Sequence, residues 1–131
     1  MTALSFVLTL EDPSRIADSR QVGPYLGLVP RTRDSGASAP QLRITKAGDA
    51  YLRRLLVIAA NYIVGPFGPD CDLRRFGLKL AAQGGKNGRK RAKVAVARKL
   101  AVLLHRLWKT GEVYDPFHLA KKRGEAVPVP A

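Results

Sequence analysis

Residues 49–64 read DAYLRRLLVIAANYIV, and this stretch decides the fold. Leu52, Leu55, Leu56, Ala59, Ala60 and Ile63 recur at intervals of three and four, the spacing of a helix that buries one face. Asp49 stands where its carboxylate caps such a helix and favours its positive end, with Arg53 one turn on. Gly65-Pro66-Phe67-Gly68-Pro69 stops it. Downstream, the pattern predicts a helix over residues 71–82, a flexible basic turn at Gly84-Gly85-Lys86-Asn87-Gly88, and a second long helix over residues 90–109. Val94, Ala97, Leu100, Ala101, Leu104, Leu107 and Trp108 form the apolar side of that last helix, and Gly111 supplies its stop. Upstream, residues 26–32 and 41–45 alternate partially across a polar loop, which suits two small strands. Before them lie a short helix near residues 14–26, with Ser14 or Asp18 close to its cap, and an apolar N-terminal segment ended by Asp12-Pro13. The expected fold is mainly α: a small helical domain with a minor β-hairpin between the N-terminal helices and the core helix. Two long helices bury little alone, so the flanking segments or a partner must complete the core.

The chain is 131 residues long, room for one small domain. With 46% hydrophobic and 25% charged residues it has the composition of a folding chain. The domain is expected to span residues 1–117, truncated at its start, followed by a flexible basic and proline-containing tail over 118–131. A single cysteine, Cys71, excludes an internal disulfide framework and any multi-cysteine zinc site. The longest strongly apolar run, residues 55–64, is half of the roughly 20 residues a membrane helix needs. The first ten residues lack the basic start and cleavage pattern of a secretory signal. A cytoplasmic location is the expectation, with no membrane partner.

The formal net charge is +13, which favours a polyanionic partner. The surplus is local. Residues 69–111 hold Arg74, Arg75, Lys79, Lys86, Arg89, Lys90, Arg91, Lys93, Arg98, Lys99, Arg106 and Lys109, against only Asp70 and Asp72. A solvated helix face would intersperse the two signs; this block instead has the composition that neutralises phosphates, with binding that weakens as salt rises. Arg89, Lys90, Arg91, Lys93 and Arg98 are its candidate contacts.

Enzyme constellations are sparse. His105 and His118 have no acid cluster near them in sequence, and His105 reads as a structural residue. Gly84-Gly85-Lys86-Asn87-Gly88 lacks the spacing of a nucleotide-binding phosphate loop. There remains Arg31-Thr32-Arg33-Asp34-Ser35-Gly36, followed by Arg43-Ile44-Thr45-Lys46-Ala47-Gly48. Here a hydroxyl sits in a glycine-permitted turn between Arg31 and Arg33 on one side and Arg43 and Lys46 on the other. A serine attacking a phosphodiester needs access, cations for the charge on the phosphorus oxygens, and a base. The segment supplies the first two, and no general base is evident. On spacing alone, Asp-Ser-Gly is simply a good turn.

The series Leu28-Val29-Pro30-Arg31, Asp34-Ser35-Gly36, Arg43-Ile44-Thr45-Lys46-Ala47-Gly48-Asp49, Leu52-Arg53-Arg54-Leu55-Leu56 and Ala97-Arg98-Lys99-Leu100-Ala101 resembles the C-terminal half of the insertion-sequence one-ten family of transposases, relatives of the Piv-type DNA invertases. The resemblance covers roughly residues 2–117. It implies a protein in which an N-terminal RuvC-like domain holds four acidic residues and a divalent metal, magnesium by expectation, while the C-terminal domain contributes a nucleophilic serine. Ser35 matches that serine and by this analogy forms a transient phosphoserine link to DNA. The implied partners are DNA, a RuvC-like domain or subunit, further copies of the chain and, for some members, a guide RNA that pairs with both DNAs. Arg31, Arg33, Arg43 and Lys46 are assigned to phosphate on local chemistry. Glu11, Asp12, Asp18 and Asp34 do not reproduce the acidic quartet, so no metal ligand is assigned in this chain. The implied function is therefore the DNA-binding, nucleophile-bearing half of a transposase, inactive alone. The competing expectation is a basic DNA- or RNA-binding remnant without catalysis. A membrane-surface amphipathic helix ranks last, since the same apolar stripe is more simply core.

Overall fold

The computed structural model describes residues 2–28, 44, 46 and 48–127. Among them the regular structure is helical: α1 (Thr2–Leu10), two 3-10 turns (Pro13–Arg15 and Ser19–Gln21), α2 (Val22–Tyr25), α3 (Ala50–Val64), α4 (Asp72–Gln83), a third 3-10 turn (Gly85–Asn87), α5 (Gly88–Thr110) and α6 (His118–Lys122). The core is the meeting of α3, α4 and α5, with α1 laid on α3 and α2 on α5.

α3 forms as its pattern requires. The Asp49 carboxylate accepts from the Leu52 N–H at 2.8 Å, and Leu52, Leu56 and Ala60 are fully buried. Just before it, Gly48 adopts φ +79, and a Cβ there would lie 2.3 Å from the Tyr25 carbonyl oxygen. At the far end the Arg74 guanidinium donates to the carbonyls of Ile63, at 2.9 Å, and Gly65, so the helix terminus is capped from α4.

α4 starts one residue later than its pattern suggested, because the Cys71 sulfur takes the capping position and accepts from the Arg74 N–H at 3.4 Å. Gly77 lets three helices meet. A Cβ at that point would fall 2.5 Å from Val64 Cγ1 and 2.7 Å from Val96 Cγ2. The basic Gly-rich turn is ordered as 3-10 helix, and α5 begins at Gly88, whose absent side chain lets it approach the Ala81 carbonyl. Gly111, at φ +73, ends α5 by donating its N–H to the Leu107 carbonyl at 2.8 Å, the expected left-handed stop.

The buried face of α5 is Ala92, Val96, Ala97, Ala101 and His105 rather than the bulkier residues of the expected stripe. Leu100, Leu104 and Trp108 pack around this centre, half-buried. Small side chains occupy the middle because α3 and α4 press on it from two sides. Trp108 meets Phe6 of α1 edge-to-face at 6.5 Å. His105 is a structural residue, as expected: it is fully buried, its Nε2–H donates to the Pro13 carbonyl at 2.9 Å, and Nδ1 pairs with the Ser19 hydroxyl at 2.8 Å. The short helix anticipated near residues 14–26 resolves into two 3-10 turns and α2, capped by Asp12 and Asp18 rather than by Ser14.

Two further expectations meet the structure differently. The β-hairpin is not seen: among the described residues there is no strand, and Ile44 carries only an isolated bridge. Leu26 and Gly27 close a turn on α2 instead, with φ +72 at Gly27, although the Lys46 N–H does reach the Gly27 carbonyl at 3.2 Å. Most of the residues expected in that hairpin lie outside the described residues. Within the expected tail, Asp72 caps α6 through the Leu119 and Ala120 N–H groups at 2.7 and 3.1 Å. Ala120 is buried, and Arg75 donates to the Ala126 carbonyl.

Candidate nucleic-acid interface

The twelve basic residues between 74 and 109 separate into two groups. Arg74, Arg75, Lys99 and Lys109 are used within the molecule. Arg74 holds the end of α3. Arg75 makes a two-point ion pair with Asp70, at 2.9 and 3.0 Å, and lies 5.3 Å from the centre of the Phe117 ring. The Lys99 ammonium sits 4.0 Å over Phe76, and Lys109 donates to the Ala17 carbonyl at 2.6 Å. The side chains of Lys79, Lys86, Arg89, Lys90, Arg91, Lys93, Arg98 and Arg106 have no ion pair among the described residues.

Three of those free cations converge with a fourth from elsewhere in the chain. A groove of about 830 Å³ runs between the C-terminal end of α4, the first half of α5 and residues Ile44 and Lys46. Lys46, Lys90, Arg91 and Arg98 line it, over an apolar floor of Leu28, Ile44, Leu80 and Val94, and no acidic residue is among its described walls. The N-terminus of α5 opens on the same space at Asn87 and Gly88 and has no side-chain cap, so its backbone N–H groups add partial positive charge of the same sign. Four cations, a helix start without a side-chain cap and no carboxylate among the described walls produce a concave surface complementary to phosphate.

Of the residues expected to contact DNA, the fold therefore brings together Lys46, Lys90, Arg91 and Arg98. Arg89 and Lys93, one turn apart on α5, are not in the groove wall. Arg31, Arg33, Ser35 and Arg43 lie outside the described residues. Sequence reading missed Gln83 and Asn87 as polar members of the groove wall, because nothing in composition marks which side of a turn faces a neighbouring helix. Among the described residues no three His, Cys, Asp or Glu side chains come together to hold a metal ion. The divalent ion implied by the resemblance thus finds no donor set in the described part of the chain, and no step below runs through it. No helix among the described residues is long and apolar enough to cross a membrane.

In fold and charge the molecule is a small helical domain with a cationic groove. Comparison with known proteins gives it a family. Residues 1–71 match the model of the transposase IS116/IS110/IS902 family, and the chain belongs to that family. Over 114 residues, 87% of this chain, it is 33% identical to the transposase for insertion sequence element IS1111A of Coxiella burnetii. Over 116 residues, 88% of the chain, it is 30% identical to a Pseudomonas aeruginosa protein named as a probable family 20 transposase. These matches cover 31% and 34% of the two relatives, so the chain spans about a third of their length.

Proposed function

We propose that this chain is the C-terminal, DNA-binding and nucleophile-bearing part of a transposase of its family, and that it needs a RuvC-like metal domain to act. The observation that carries the reading is the convergence of Lys46 with Lys90, Arg91 and Arg98 on one groove with no acidic residue among its described walls. Lys46 belongs to the same cation-bearing stretch of sequence as Ser35, and on that ground the groove and the proposed nucleophile are assigned to one site. In the step envisaged, the Ser35 hydroxyl oxygen attacks phosphorus. A serine–phosphate bond forms, the bond from phosphorus to the leaving nucleoside oxygen breaks, and the hydroxyl proton ends on that oxygen. Attack by another nucleoside hydroxyl reverses the sequence and rejoins the strand without loss of bond energy. The cations stabilise the charge that builds on the non-bridging oxygens. A guide RNA and further copies of the chain belong to the same proposal.

Two experiments test it. Four groove contacts predict a slope near −3.6 in the logarithm of duplex affinity against the logarithm of salt, a loss of about 150-fold between 50 and 200 mM. A salt-insensitive constant removes the groove from the interface. In a protein of the relatives' full length, Ser35→Ala should abolish strand exchange and leave DNA binding within about twofold, since it deletes no cation. Retained exchange assigns the nucleophile elsewhere and favours the second reading, a basic binding protein without catalysis.

A further inference from the structure

A second cleft, of about 520 Å³, opens on the other side of Arg98, between the start of α4, the second half of α5 and residues 114–119. Its lining is more apolar than that of the basic groove and includes the partly buried Leu73, Val102 and Leu103, with Leu119 and Tyr114 exposed at its edge. Arg20, Arg98 and Arg106 stand in the same wall, and the side chains of Arg98 and Arg106 have no ion pair among the described residues.

The two carboxylates of this wall are occupied. Asp72 accepts from the Leu119 and Ala120 N–H groups, and Asp115 accepts from the Phe117 N–H at 3.0 Å and from Lys121 at 3.3 Å. The cleft therefore pairs an apolar floor with a cationic mouth. Its volume falls within the range of small-molecule sites, large enough for one nucleotide. Arg98 lines both spaces, so the groove and the cleft adjoin at that side chain.

From the apolar floor, the guanidinium mouth and this continuity we infer that the cleft receives one unpaired nucleotide of the strand held in the groove, its base on the apolar floor and its phosphate against Arg98. Proteins recognise unstacked bases by such combinations of flat apolar contact and cations, and the cost of leaving a stack is least for a base already unpaired. The inference rests on the groove reading above, and the two fail differently.

The test measures binding of the 131-residue chain to a 20-base-pair duplex by fluorescence anisotropy, fully paired or with one bulged adenine. The bulged probe should bind on the order of tenfold more tightly. Leu103→Trp, which fills the cleft from α5, should erase that preference and leave paired-duplex binding unchanged. Leu119→Trp fills it from α6, where Leu119 is 41% exposed, and gives the same readout if the α5 variant does not fold. Equal binding of the two probes by the unmodified chain, as expected if a protein segment occupies the cleft, overturns the inference and leaves the groove standing. So does a bulge preference that survives a folded cleft-filling variant. Absence of salt-sensitive binding to either probe overturns the groove reading and this inference with it.

Discussion

Arg74 and Arg75 at the start of α4, and Lys90 and Arg91 at the start of α5, are two adjacent cation pairs in one basic block, yet they do opposite things. The first pair is consumed: Arg74 caps the end of α3, and Arg75 ties α4 to Asp70 and to the backbone at Ala126. The second pair lines a groove with no acidic wall among the described residues, where neither cation makes an ion pair. Net charge counts the four residues alike, whereas their surroundings commit two to folding and leave two for a ligand. Removing the first pair should therefore cost stability, and removing the second should cost affinity.

The largest expected effect breaks the comparison on the ligand side. Lys90→Glu with Arg91→Glu replaces two groove cations by anions and should lower duplex DNA affinity by on the order of 100-fold at 100 mM salt, with the melting temperature unchanged. Arg89→Glu with Lys93→Glu makes the same change in net charge outside the groove. It should cost several-fold less, and equal losses in the two double variants would show that total charge, not the groove, sets affinity. Next comes the folding side. Arg74→Ala leaves two carbonyls at the end of α3 without their charged donor and should destabilise the fold by about 2 kcal/mol in urea unfolding, with little change in DNA binding.

This division was only partly legible in the sequence. α3 and the end of α5 were, because periodicity, Asp49 and Gly111 are local signals whose meaning does not depend on distant residues. The crossing at Gly77 was not, since an isolated glycine in a helical pattern does not say which Val64 or Val96 methyl will occupy the space. The innermost face of α5 was misplaced for a related reason. Hydropathy favours Leu100 and Leu104, while a three-helix contact adds Ala92 and Val96 to the expected Ala97 and Ala101. The expected hairpin failed where α2, ending in Pro24 and Tyr25, carries its turn through Gly27. For the site, composition correctly marked Lys90, Arg91 and Arg98 but also marked Arg89 and Lys93, because rotation about a helix axis decides which cations converge. Lys46 entered through its neighbourhood to Ser35. Its position across from α5 is a tertiary fact.

A smaller effect sharpens the contrast at α6. Asp72, one of two acidic residues in the basic block, offsets none of the groove cations; it accepts from the Leu119 and Ala120 N–H groups and fixes α6 to α4. Asp72→Ala should cost about 1 kcal/mol, the usual loss for a helix cap, and amide exchange at Leu119 and Ala120 should rise more than in α3. Unchanged exchange there would mean that Ala120 burial alone holds the segment.

The smallest effect concerns Asp70. The hydrogen bond from Arg75 holds the Asp70 carboxyl below its ordinary value of 3.8. A carboxyl depressed on folding adds stability above its unfolded pKa and loses it as pH falls through the folded value. The advantage of the parent chain over Asp70→Asn should thus be constant near neutrality and shrink below pH 3.8. Because the pair is exposed, salt should reduce that advantage at pH 7 as well. Acid below pH 3.8 should thus weaken the Arg75 end of the molecule, whereas the groove at Lys90 and Arg91 does not depend on this pair. Melting curves of both chains from pH 2.5 to 7, with and without added salt, separate the two ends. An advantage that stays level across that whole range would mean that Asp70 gains nothing from Arg75, which Ala126 and Glu125 would then hold.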